Sequence, residues 1–240
     1  MNCKPEELLI SLIAPHLATC RHICVGVSSP IPGAAAQLAR CRSDNRIIVN
    51  LLGDFRHNSF TSGGQEIFDM AGQGRIDAFF LGGGQIDGQA NINLVGTGSY
   101  PETDVRWSGS FGSAYLYYLV PNVILFREEH SPRVLVPKVD FISAPGISPP
   151  EHHRVGGPKC LITGKAEFSF DPSAGRFTLV SVHPGYTLQD ILDSTGFDFD
   201  YAEDVPMSVE PDDQTLSLIR GPVADQIRGL YPVFADKVFG

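Results

Sequence analysis

The sequence predicts an α/β fold, an open and mostly parallel sheet covered by helices on both faces, ending in a C-terminal β-hairpin and helices. Two observations predict it. Short apolar runs alternate with helix-length segments in the order strand, helix, strand, which is the βαβ pattern of a parallel sheet. At 240 residues with 42% apolar and 19% charged side chains, the chain is large enough for one well-filled core. A single domain spanning residues 1–240 is the simplest expectation.

The elements follow in chain order. Leu8, Leu9, Leu12, Ile13 and Leu17 fall on one face at helical spacing, so Glu6 to Ala18 is predicted as a helix with Pro5 in its first turn. His22 to Val27 is a strand bounded by Ser28-Ser29-Pro30, and a helix over Ala34 to Arg40 follows, led by Gly33. Ile47-Ile48-Val49 opens the next strand. A second unit repeats the order, with a helix over Gln65 to Gln73 and a buried strand over Ile76 to Leu81 that runs into Gly82-Gly83-Gly84-Gln85. Ser113 to Val120 fits either helix or strand, and Asn122 to Phe126 fits a strand.

Beyond Pro145 the composition shifts to a long Pro/Gly loop. Lys159 to Phe170 and Arg176 to Val182 then read as the two strands of a hairpin joined by Asp171-Pro172-Ser173-Ala174-Gly175. Thr187 with Asp190 three residues on marks a capped helix ending near Gly196. A last helix over Asp212 to Arg220 leads into a tail punctuated by Gly and Pro.

Charge excludes one class of partner. A formal net charge of -9 with no local run of Lys or Arg repels phosphate backbones, so nucleic acid is not expected as a ligand. Cys3, Cys20, Cys24, Cys41 and Cys160 are odd in number and lack paired zinc-like spacing, so buried reduced thiols are expected and no metal. The first residues do not form a signal peptide, and no apolar run reaches the ~20 residues that span a bilayer. A cytoplasmic protein that makes no membrane contact is the expectation.

Phosphate-loop, dinucleotide and nucleophile-elbow motifs are absent. The segments left to carry chemistry lie at predicted strand ends, where open α/β sheets gather ligands. Gly82 to Asp87 is either a cradle of backbone N–H groups for a ligand oxygen or a tight strand exit. Ser28, Ser29 and Gly33 sit in a loop that is either an anion site or an ordinary connection. His183, before Pro184, is held extended and could aim its ring at a site. His152-His153 lies in a Pro-rich loop. Arg106 and Lys138 are isolated cations that could meet a phosphate or serve as solvated charges, and Asp140 is an isolated acid near a strand end.

These segments, taken in order, resemble the β subunits of family I coenzyme A transferases of the glutaconate type. The likeness runs from about Glu6 to Arg220. It rests on Gly26-Val27-Ser28-Ser29-Pro30-Ile31-Pro32-Gly33-Ala34, Phe80 to Asp87 with Asn91-Ile92-Asn93, and Ser108-Gly109-Ser110-Phe111-Gly112. Val139 to Gly146 and Thr195-Gly196-Phe197-Asp198 also belong to it.

The resemblance implies acyl-CoA thioester substrates, with coenzyme A arriving as part of the substrate and no permanently bound cofactor. It implies an α-type CoA-transferase subunit as partner, in an αβ or α2β2 assembly with the active site between subunits. Gly83, Gly84 and Gln85 are implied to hold the thioester oxygen, and Ser28, Ser29, Gly33, Gly109 and Gly112 to touch substrate or CoA. In such transferases a glutamate after a strand like Ile47-Ile48-Val49 attacks the thioester. Here Asn50 occupies that place, or Leu51 if the alignment shifts by one, and neither is a carboxylate. Asp54 is the nearest acid. The chain also resembles the branch of steroid-ring-cleaving acyl-CoA hydrolases that lack this glutamate, particularly at Val182-His183-Pro184-Gly185. That branch implies hydrolysis with an acid supplied by the α subunit; a transferase with a nucleophile from elsewhere and a non-catalytic acyl-CoA-binding subunit are the alternatives.

Overall fold

A computed structural model describes residues 3–240 and divides them into two compact units. One combines residues 3–80 with 209–240, and the other is Leu81–Ser208. The strands β1 (His22–Val25), β2 (Ile48–Leu51), β3 (Ala78–Leu81), β4 (Gln85–Ile86), β5 (Ile92–Asn93), β6 (Gly96–Ser99) and β7 (Glu102–Arg106) come first. They are followed by β8 (Asn122–Arg127), β9 (Pro158–Thr163), β10 (Ala166–Asp171) and β11 (Arg176–Val182). Seven of these form the sheet β11-β10-β9-β8-β3-β1-β2, and two-stranded ribbons pair β4 with β5 and β6 with β7. The expected mostly parallel α/β architecture is present.

In the first unit β1 is the parallel centre of a three-stranded group, with Cys24 opposite both Asn50 of β2 and Phe79 of β3. Every residue of β1 and β3 is buried, which is why these strands read as unbroken apolar runs. The helices α1 (Pro5–Ile13), α2 (Pro30–Arg42) and α3 (Gly64–Gly72) belong to this unit. Helix α1 stops short of Ala18 and tightens into a 3-10 turn over Ala14–Leu17, where Pro15 has no N–H to continue the ladder. Helix α2 begins at Pro30, four residues before its expected start. Pro30 and Pro32 fall in the first turn, where a missing N–H costs nothing.

The C-terminal tail is helical rather than irregular. Asp212 caps the helix Asp213–Leu218 by accepting the N–H of Thr215. A wide π turn, Ile219–Val223, absorbs Pro222, and the helices Ala224–Arg228 and Pro232–Phe239 complete the unit. This tail is tied to α1 by a bidentate ion pair. Arg220 Nε and Nη2 donate to Glu7 Oε1 and Oε2 at 2.5 and 2.8 Å, and Lys4 N–H also donates to Oε2. Burial opposes the charge on Glu7, but the Arg220 guanidinium and the Lys4 N–H hold its carboxyl below the ordinary range.

The second unit holds β9, β10 and β11 as an antiparallel meander, with β8 parallel to β9. The run Lys159 to Phe170, expected as one strand, is two. Gly164-Lys165 reverses the chain while Thr163 Oγ1 accepts the N–H groups of Lys165 and Ala166. The segment Ser113–Leu119 resolves to a helix, and Leu188–Ser194 is capped by Thr187 and Asp190 as the sequence predicts. Phe168, Phe177, Phe197 and Phe199 form the core of this unit, with Phe168 edge-on to Phe199 at 5.2 Å.

Two buried histidines sit beside that core. His183 donates from Nε2 to Thr163 O at 3.0 Å and its Nδ1 lies 2.8 Å from Ser208 Oγ, so both ring nitrogens are partnered, and burial lowers its pKa. The sequence allows this ring to aim at a site or to be an ordinary hydrogen-bonded histidine; it is buried and ties Thr163 of β9 to Ser208. His130 lies between Thr163 Oγ1 and Thr195 Oγ1 at 2.8 and 2.9 Å, and burial lowers its pKa to about 4.

Replacing Arg220 by Ala is expected to cost about 2 kcal/mol, read from the midpoint of urea unfolding. The figure lies below that of a sealed pair because the Arg220 side chain is 32% exposed, whereas Glu7 is at 0%. A second expectation concerns acid. The unfolded chain protonates His130 near its ordinary 6.5 while the folded one resists to about 4, so stability is complete above 6.5 and falls as pH drops. The loss across that window is about 3 kcal/mol, and His130→Gln removes this pH dependence in calorimetric scans.

Candidate functional site

In the first unit the chain leaves β2 through a tight excursion, residues 52–59, whose geometry is set by one buried amide. Asn50 is 1% exposed. Its Oδ1 accepts the N–H of Ser59 at 2.8 Å and the Ser59 hydroxyl at 3.0 Å, and its Nδ2 donates to His22 Nε2 at 2.6 Å. The His22 Nδ1 lies 3.1 Å from the carbonyl of Arg75, which can only accept. Nδ1 therefore carries the proton, Nε2 is the acceptor, and the ring is neutral. Burial agrees, since it holds His22 below the ordinary imidazole pKa.

The alternative position for the family glutamate, Leu51, is fully buried. Neither residue can attack an ester carbon from where it lies. Cys24, 3.8 Å from His22 Nε2, is no substitute, because burial pushes its thiol up to about 12.

The same excursion brings Asp54 and His57 together. Leu51 N–H donates to His57 O at 2.7 Å, so the loop closes back on the strand. Asp54 Oδ1 accepts the N–H of Arg56 at 2.8 Å in an Asx turn, and Oδ2 holds His57 Nδ1 at 2.7 Å. Burial works against the Asp54 charge, yet the Arg56 N–H and the His57 ring keep its carboxyl below the ordinary range. Asp54, expected as a possible stand-in nucleophile, has both oxygens engaged and is 6% exposed. Sequence reasoning missed His57. Its signal was an acid three residues before a histidine in a turn.

Ser28, Ser29 and Gly33 divide between two structures. Ser28 adopts φ 60° in the loop, and Ser29 N–H faces Tyr231 Oη at 3.4 Å. Gly33, expected in that loop, lies inside α2 with its N–H on Ser29 O, packed against Leu51 and Tyr231. It is a packing residue, and the loop proper ends at Ser29.

In the second unit the glycine turn after β3 is closed by its own neighbours. A Cβ on Gly83 would lie 2.6 Å from Ile92, and one on Gly84 would lie 2.1 Å from the Trp107 ring. Gly84 N–H donates to Asn93 O at 2.9 Å. The Gln85 carboxamide turns inward: Nε2 donates to Asp140 Oδ2 at 3.0 Å, and Oε1 accepts from Asp140 N and Asn93 Nδ2. Of Gly83, Gly84 and Gln85, expected to hold the thioester oxygen, Gly84 N–H and one Gln85 amide donor are engaged within the chain, and both glycines allow the close approach of Ile92 and Trp107. Asp87 organises the next turn by accepting the N–H groups of Gln89 and Asn91 and the Asn91 amide. Gly109 (φ 99°) and Gly112 (φ 71°) shape the segment that carries the chain from Trp107 into the helix Ser113–Leu119. A cleft of about 610 Å³ in this unit is lined by Gly88, Gln89, Lys138, Ile142, Arg176 and Asp198.

Among the described residues no group of three or more His, Cys, Asp or Glu side chains could hold a metal ion, and the five cysteines form no disulfide. No helix there is long and apolar enough to cross a membrane.

Short parallel strands ending in glycine turns, with helices between them, place the chain among the open-sheet α/β proteins. The chain belongs to the Coenzyme A transferase family, whose model matches residues 6–194. It is 26% identical over 247 aligned positions to one of the subunits of glutaconate CoA-transferase from Acidaminococcus fermentans, covering 91% of this chain and 92% of that protein. It is 28% identical over 160 positions to the cholesterol ring-cleaving hydrolase IpdB subunit of Rhodococcus jostii, covering 65% and 62%. The fold is shared with the crystal structure of Rhodococcus jostii IpdAB, at TM-score 0.81 and 21% identity over 92% of this chain and 94% of that one.

The packing of Trp107 on Gly84 yields a direct test. Trp107 is the chain's one tryptophan, so Gly84→Ala is expected to eject its ring and shift its emission to longer wavelength. Unchanged emission would contradict the contact.

Proposed function

We propose that this chain is the β-type subunit of an acyl-CoA hydrolase, one that opens a ring or a carbon–carbon bond beside a thioester. An α-type subunit works with it in an αβ or α2β2 assembly, in the cytoplasm. The observation that carries this reading is the amide at Asn50. Where the family's transferases present a glutamate, this chain has a carboxamide bonded on both sides and buried. An amide nitrogen is delocalised into its carbonyl and does not form the acyl-enzyme that CoA transfer requires. Hydrolysis needs no such adduct, only water, a base and stabilisation of the oxygen that gains charge.

The relatives include both chemistries, so the choice between them falls to position 50. Sequence likeness extends both to a CoA-transferase subunit and to a ring-cleaving hydrolase subunit. A transferase reading would need a nucleophile from elsewhere, either Asp54, whose engaged oxygens disfavour it, or an acid of the α-type subunit. Coenzyme A enters as part of the substrate, and the exposed Lys138 in the second unit's cleft offers an ammonium to one of its phosphates.

The test uses the complex purified with its α-type partner and a panel of cyclic and linear acyl-CoAs in ¹⁸O-labelled water, with acetate present. One ¹⁸O atom in the product carboxylate and no acetyl-CoA is the expected result. Acetyl-CoA formed as fast as substrate disappears would overturn the hydrolase reading.

A further inference from the structure

We propose that His57, oriented by Asp54, is the proton-transfer group that this chain contributes to the reaction. The inference rests on the hydrolase reading and deepens it by assigning a base on this subunit. The arrangement has the parts that such a role requires. Asp54 is enclosed at 6% exposure and bonds the Nδ1 side of the ring, whereas the His57 side chain is 16% exposed. That carboxylate keeps the proton on Nδ1 and leaves the Nε2 lone pair free to accept one. Nε2 has no hydrogen-bond partner among the described residues. By contrast, the buried rings of His22, His130 and His183 are each bonded at both nitrogens.

The placement is equally specific. His57 O accepts the N–H of Leu51, and Ser59 bonds Asn50, so the ring is pinned to the segment where family transferases carry their attacking acid. The loop's other charged group, Arg56, stands 4.0 Å from Asp54 and leaves the carboxylate's bond to the ring intact. A purely structural dyad would be expected to bury the imidazole along with the acid, as this chain does with its other histidine networks.

The chemistry balances as follows. Nε2 takes a proton from water as the water oxygen bonds to the acyl carbonyl carbon, and the π pair moves onto the carbonyl oxygen. When that carbonyl re-forms, the bond to the leaving atom breaks, the leaving atom being a carbon between two carbonyls or the thioester sulfur. The leaving atom keeps the electron pair and takes the proton from Nε2. One water is added, and the imidazole is regenerated with no redox partner. Asp54 stabilises the intervening imidazolium and stays ionised.

His57→Asn is the sharpest test, because the Asn amide can still donate to Asp54 while the Nε2 base is gone. In the αβ complex it is expected to lower kcat about 100-fold with KM within about twofold and the melting temperature unchanged. Asp54→Asn, which releases the ring's tautomer, is expected to lower kcat at least tenfold. His57→Ala should regain activity with added imidazole, a response that a merely structural histidine would not give. If the wild-type complex hydrolyses its substrate and folded H57N runs within twofold of it, the dyad's role is overturned while the hydrolase reading stands. If H57N misfolds, the Ala variant decides: rescue by imidazole supports the proposal, and a folded H57A at full rate overturns it. CoA transfer by the wild type would instead remove the hydrolase reading beneath both.

Discussion

The hydrogen bonds of Asn50 organise the first unit's candidate site. One amide joins three pieces of chain: the start of β1 through His22, β2 itself, and the return of the 52–59 excursion through Ser59. An exposed version of the same contact would compete with water and contribute little. Enclosed, the Asn50 amide would otherwise be an unsatisfied polar group, which costs roughly 1–3 kcal/mol. The amide therefore fixes the loop's exit angle, and with it the position from which Asp54 and His57 meet. A carboxylate in its place would face the acceptor nitrogen of a ring that is already committed to Arg75. The buried amide and the shape of the loop are thus one local solution.

Much of the fold was legible in the sequence because its signals are short-range. Buried parallel strands announce themselves as apolar runs, and the cap at Thr187 and Asp190 uses a pattern that local hydrogen bonds enforce. The misses have a common cause in backbone detail. A two-residue turn at Gly164-Lys165, closed by the hydroxyl of Thr163, splits what periodicity alone presents as one strand. The tail around Pro222 looked like a breaker, and a single wide turn accommodates it instead.

The sites show the same division. The sequence made plain that position 50 has no carboxylate, since identity at one place in a motif is a one-dimensional fact. It could not show that Gly84 is glycine because an indole lies on it, for Trp107 is distant in the chain. Nor could it show that the ring of His183 is closed in by Ser208 while that of His57 keeps a small exposed edge. Two histidines beside similar turns differ only in what tertiary packing places against them.

The discontinuity of the first unit has a consequence for how the molecule is made. Its N-terminal part and its final helices are joined by the grip of Arg220 on Glu7, two groups separated by almost the whole length of the polypeptide. The intervening unit is continuous, so during synthesis it has all its residues in hand first. The body bearing Asn50 and the Asp54–His57 pair must wait for the last thirty or so amino acids to emerge before its carboxylate finds a counter-ion. Truncation by a premature stop near the end of the message would leave a finished insert inside an unfinished frame.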